Sequence, residues 1–129
     1  MVVFEKINNN PKGIKAADCV VRAISYATGL DWVTVYNGLC ELGLHMKRMP
    51  NEKEVYSKYL ESLGWTKRQQ PRRLDNTKYL VGEIDQLVRF GKVVISLANH
   101  LTVADMDLEF MIIDTWDCRR KTIGNYWVK

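Results

Sequence analysis

The sequence contains no apolar run approaching the roughly 20 residues that span a bilayer. Its first residues, Met1-Val2-Val3-Phe4-Glu5-Lys6, also lack the long apolar stretch of a secretory signal. With only three prolines and eight glycines among 129 residues, no segment reads as a flexible linker. There is no internal repeat, and no low-complexity run is longer than Asn8-Asn9-Asn10. The two histidines stand far apart, and the three cysteines are widely spaced. This fits neither a disulfide framework nor paired CxxC zinc spacing. The expectation is a cytoplasmic protein with no metal, no cofactor and no membrane contact.

What is present belongs to an ordinary globular chain, 47% hydrophobic and 26% charged. One domain over residues 1–129 is expected, long enough to bury most of the surface its unfolded form exposes. The formal net charge of +4 comes largely from residues 67–73 and from Arg119-Arg120-Lys121. Such runs can meet phosphates. No nucleic-acid module accompanies them, so they read as solvated loops.

The first third predicts helices. Asp18 is placed to cap a segment reaching Ala27, with Val20, Ala23, Ile24 and Ala27 at helical spacing. Thr28-Gly29 suits its end. Asp31 is placed to cap a second helix, whose predicted stripe is Trp32, Tyr36, Leu39, Cys40 and Leu44. A third follows Pro50-Asn51, with Val55, Tyr59, Leu60 and Leu63 inward and Gly64 as its stop. A short helix or turn is expected around Glu83–Leu87. From Lys92 onward β-branched and aromatic residues dominate, predicting strands near 93–97, 100–104, 109–114 and 122–128. Helices followed by antiparallel strands make an α+β domain with the helices on one face of a sheet.

Residues 105–108 form a turn-sized gap between two of these strands. A hairpin symmetric about Asp107 sets His100 opposite Asp114, and directly opposed residues share a sheet face. A one-residue slip would separate them. Taken alone, Cys19 reads as a buried small hydrophobe, His100 as a strand histidine and Asp114 as a turn residue. Together they fit another pattern. A thiol at a helix N-terminus gains from the helix dipole, a histidine serves as its base, and a carboxylate orients the histidine. Cys40 is expected in the core and Cys118 on an exposed turn, while His45 sits at a helix end, where a cation is favourable.

Three ordered motifs carry a resemblance: residues 18–25 beginning Asp18-Cys19-Val20-Val21, residues 99–104 beginning Asn99-His100, and Ile113-Asp114-Thr115-Trp116 with the later Gly124-Asn125-Tyr126-Trp127. They resemble the small papain-like cysteine-peptidase-like proteins of bacteria and their phages, similar to bacteriocin-processing peptidases. The resemblance implies a papain-like fold with the cysteine-bearing helix on a C-terminal antiparallel sheet. It also implies Cys19 as nucleophile, His100 as general base, Asp114 as orienting carboxylate, and acyl transfer through a thioester. Asp18, Asn99, Trp116 and Trp127 would be site walls. The implied partner is a peptide or protein substrate, in the host cytoplasm if the chain is phage-encoded.

The sequence departs from that pattern at two places. Gly13 stands where such enzymes carry a Gln or Asn for the oxyanion, with Asn8–Asn10 as substitutes only if the N-terminal segment folds back. Asp18 puts a negative charge beside Cys19, which opposes a thiolate unless it is paired, with Arg22 the nearby candidate. The alternative implied by these departures is an inactive interaction protein that binds a host protein or nucleic acid.

Overall fold

The computed structural model describes residues 1–107 and 109–129. Strand β1 (Val3–Lys6) comes first. Helices α1 (Cys19–Thr28), α2 (Trp32–Met46) and α3 (Lys53–Ser62) follow. Next are strand β2 (Thr66–Arg68) and a 3-10 helix, Val81–Gln86. The chain ends with strands β3 (Lys92–Leu97), β4 (His100–Asp105), β5 (Met111–Asp114) and β6 (Tyr126–Val128). The fold is α+β: three helices packed on a six-stranded, mostly antiparallel sheet of order β1-β5-β4-β3-β6-β2. No helix among the described residues is long and apolar enough to cross a membrane.

Each helix end has a local cause. The Asp31 carboxylate accepts the Thr34 N–H at 2.7 Å, which caps α2. Gly29 ends α1 at φ 76°, where its N–H returns to the Ser25 carbonyl. Asp18 precedes α1 in the N-cap position, but its side chain makes no capping bond because it is engaged elsewhere.

Two apolar layers flank the sheet. On one face Ile24, Val35, Leu39, Val55 and Leu60 from the helices meet Val94, Leu101, Val103 and Trp127 from the strands. On the other face Val81, Ile84 and Ile123 cover Val93, Ile95 and Ile112. Burying each such aliphatic chain is worth about 1.5–3 kcal/mol.

Several expectations need correction. The sheet is neither wholly C-terminal nor wholly antiparallel, since β1 pairs parallel to β5 and β2 adds an edge beside β6. Both strands are short and carry charge, which conceals the period-two pattern; Lys67 and Arg68 belong to β2 rather than to a loop. Residues 109–110 and 122–125 lie outside the strands.

In α2 the inward face is Val35, Leu39 and Gly43; Leu39 lies on the predicted stripe, but Tyr36 and Leu44 are exposed and their places are taken by Val35 and Gly43. Gly43 is inward because the chain returns tightly over it: a Cβ there would lie 2.7 Å from the Arg48 carbonyl. Cys40 is only half-buried, and Cys118 is fully buried rather than on an exposed turn.

The hairpin register also differs. The pairs Val103–Ile113, Ala104–Ile112 and Asp105–Met111 put the symmetry point one residue beyond Asp107. Continued, this register sets Asp114 level with Thr102 rather than His100. Partners thus shift by two residues, which preserves the alternation of faces. His100 and Asp114 stay on one face as diagonal neighbours. Of the expected turn, Leu108 falls outside the described residues.

Candidate active site

Cys19 is the first residue of α1, His100 the first of β4 and Asp114 the last of β5. Because β4 and β5 are antiparallel, His100 and Asp114 meet at one end of the sheet. His100 Nε2 lies 2.6 Å from Asp114 Oδ2, a short charge-assisted bond. That contact occupies Nε2, so Nδ1 is the ring nitrogen left for a second partner. Cys19, His100 and Leu101 line one groove.

Charges in this cluster are mutually stabilised. Burial pulls the Cys19 thiol upward, but the contacts with His100 and the Leu101 backbone outweigh it, and the charges of His100 and Arg22 add to them. The thiol is held below its ordinary value. Burial pulls His100 downward, yet its bonds to Asp114 and Cys19 raise it to about 9. Asp114 is likewise pushed up by burial and brought below its usual range, first by the His100 hydrogen bond. Each of the three groups is thus shifted toward its charged form.

Arg22, one turn along α1, ties the site together. Its Nε donates to Asp18 Oδ1 at 2.7 Å and one terminal nitrogen donates to Asp114 Oδ1 at 3.3 Å. All three side chains are buried. Asp18 Oδ2 also accepts Asn10 Nδ2 at 2.9 Å and Trp32 Nε1 at 3.0 Å. The charge of Asp18 is thus paired, which meets the condition its position beside Cys19 imposes.

The other predicted wall residues divide. Trp116 packs on His100, with ring centroids 4.9 Å apart. Asn99, in the left-handed conformation at φ 55°, shapes the β3–β4 turn and lines the groove. Trp127 is sealed in the core, its ring edge-on to Tyr56, and walls nothing. Asp18 lies behind the site within the Arg22 network.

Cys19 and His100 open onto a groove of about 440 Å³, whose other walls include Tyr56, Ser96, Asn51 and Lys53. A smaller apolar pocket of about 210 Å³ adjoins it through Ala17, Val20 and Asn51, and contains the stacked pair Trp32–Tyr36. The amides of Asn8, Asn9 and Asn10 are committed to the Ile14 carbonyl, the Arg22 carbonyl and Asp18 respectively. None of them lines the groove, whose side-chain amides are Asn51 and Asn99. Sequence reasoning missed Asn51, Lys53 and Ser96. The only available signal was that Lys53 stands three residues before Tyr56, on the same helical face.

Among the described residues, His100, Asp114 and Cys118 bring ligand-type atoms within 4.8 Å of one another. Their protons are already placed. Asp114 accepts from His100, Arg22, the Thr115 N–H and the Cys118 thiol, which is its full capacity. Burial pushes that thiol up to about 12. The cluster is hydrogen-bonded and poorly disposed to bind an ion.

No family model matches the chain, and neither a curated protein nor a solved structure matches it.

Proposed function

We propose that the chain is a papain-like cysteine hydrolase that cleaves a peptide, isopeptide or amide bond through a thioester. One observation carries this reading: Asp114 holds His100, and His100 shares an open groove with Cys19, whose thiol it lowers. In this reading the Cys19 thiolate attacks the carbonyl carbon. The developing oxyanion meets the N–H groups at the start of α1, where the helix dipole is positive. His100 then gives its proton to the leaving amine, and the thioester remains on Cys19. Water, deprotonated by His100, releases the acid. Asp114 keeps the imidazole oriented and stabilises its cationic form. The substrate would be met in the cytoplasm.

The test is alkylation by iodoacetamide across a pH series, read by peptide mass spectrometry. Cys19 is expected to react faster than half-buried Cys40 and to remain reactive well below pH 9. His100→Ala should shift its profile upward toward an ordinary thiol. Equal rates at Cys19 and Cys40, with no effect of His100→Ala, would overturn the proposal.

A second reading keeps the fold without the chemistry, as a protein that binds a host protein or nucleic acid. It is favoured by the commitment of the Asn8–Asn10 amides away from the groove. Against a nucleic-acid partner, Arg73 is paired with Glu83 at 2.5 Å and Arg119 with Asp117 at 2.8 Å, so part of the basic surface is neutralised within the chain. This reading expects Cys19→Ala to retain full biological activity.

A further inference from the structure

Lys53 begins α3 and lines the groove shared by Cys19 and His100. Its Nζ lies 3.4 Å from Ser96 Oγ. Ser96 is buried; it donates its hydroxyl proton to the Asn125 carbonyl at 3.1 Å and accepts the Asn125 N–H at 2.9 Å. A hydroxyl has one proton and two lone pairs, so Lys53 takes the last position. Ser96 is also held from behind, because a Cβ on Gly124 would fall 2.9 Å from its Oγ. A fixed serine therefore steadies the tip of an otherwise flexible lysine. The remaining ammonium N–H groups are available to a ligand.

The Glu54 carboxylate acts on that ammonium but does not outweigh the opposing effects. None of the described residues lining the groove is acidic, and the neighbouring Glu54 carboxylate reaches toward Arg48 at 3.9 Å. A second lysine, Lys67 of β2, adds a like charge nearby. Burial first, then Lys67, holds the Lys53 ammonium below its ordinary value. An ammonium lowered by burial and by a neighbouring like charge is relieved by an incoming anion.

We infer that Lys53, anchored by Ser96, is a specificity residue that binds a carboxylate of the substrate beside the bond attacked by Cys19. The inference rests on reading Cys19 as the nucleophile. The carboxylate belongs either to an acidic side chain or to a chain terminus.

Paired alkylating reagents separate the two claims. Iodoacetate and iodoacetamide both transfer their carbon to sulfur with loss of iodide, but only iodoacetate carries a carboxylate. The ratio of their rates at Cys19 should fall by about threefold or more in Lys53→Met, the scale of a partly exposed ion pair. Lys53→Arg should restore it. Protection of Cys19 from iodoacetamide by N-acetylaspartate α-amide would assign a side-chain carboxylate, and protection by N-acetylglycine a terminal one. A fast-reacting Cys19 whose rate ratio ignores Lys53→Met, with neither compound protecting, overturns the inference and leaves the nucleophile intact. A Cys19 that reacts no faster than Cys40 with either reagent overturns both.

Discussion

Asp114 accepts from four donors and Asp18 from three, and Arg22 bridges the two. Buried carboxylates on this scale persist only while their partners stay in place. Arg22→Met should therefore lower stability by about 3–5 kcal/mol, read from urea denaturation, because it leaves buried Asp18 without its cation and Asp114 with His100 alone. It should also slow alkylation of Cys19, since the Arg22 charge helps to hold that thiol down. The pH dependence has a defined sign. With His100 raised from 6.5 to about 9, its stabilising contribution is complete below 6.5 and is lost as pH rises through 9. The lowered Cys19 thiol acts in the opposite direction, contributing more as pH approaches its ordinary 9.0. The stability difference between wild type and Cys19→Ala should thus widen in favour of wild type as pH rises toward 9, measured by urea midpoints. The imidazole of His100 should titrate near 9 by NMR.

Elements set which of these residues meet. The start of α1 was legible from Asp18 in the N-cap position and the apolar spacing after it, its end from Thr28-Gly29, and Asp31 was legible as the cap of α2, because those signals are local. The facing of α2 was not. Its inward position at Gly43 follows from the return of the chain at Arg48–Pro50, the segment that leads to Asn51 and Lys53. Gly43→Ala tests this. Alanine has the better helix propensity by about 1 kcal/mol, yet a Cβ 2.7 Å from the Arg48 carbonyl should cost about 1–3 kcal/mol. A net loss in urea stability is expected. Strands of three or four residues, two of them charged, as in β1 and β2, hold too little alternation to announce themselves, which is why both went unread.

Across the whole molecule, the sheet interior carries the order of the site. β3 and β4 are central and have apolar cover on both faces, whereas β2 is an exposed three-residue edge. Amide hydrogen exchange should be slowest over residues 93–95 and 101–104 and fastest over 66–68; the reverse order would contradict the layering. The sequence alone determined the α+β class and the candidacy of Cys19 at a helix start. It offered a shared face for His100 and Asp114 conditional on the register, and the even shift found in the structure preserved it. Tertiary structure alone decided the true register and the burial of Cys118. It decided the Arg22 bridge to Asp114, 92 positions away, and the arrival of Lys53 at Ser96, 43 positions away. Periodicity reports which face a residue occupies, and carries no information on which distant face comes to lie against it.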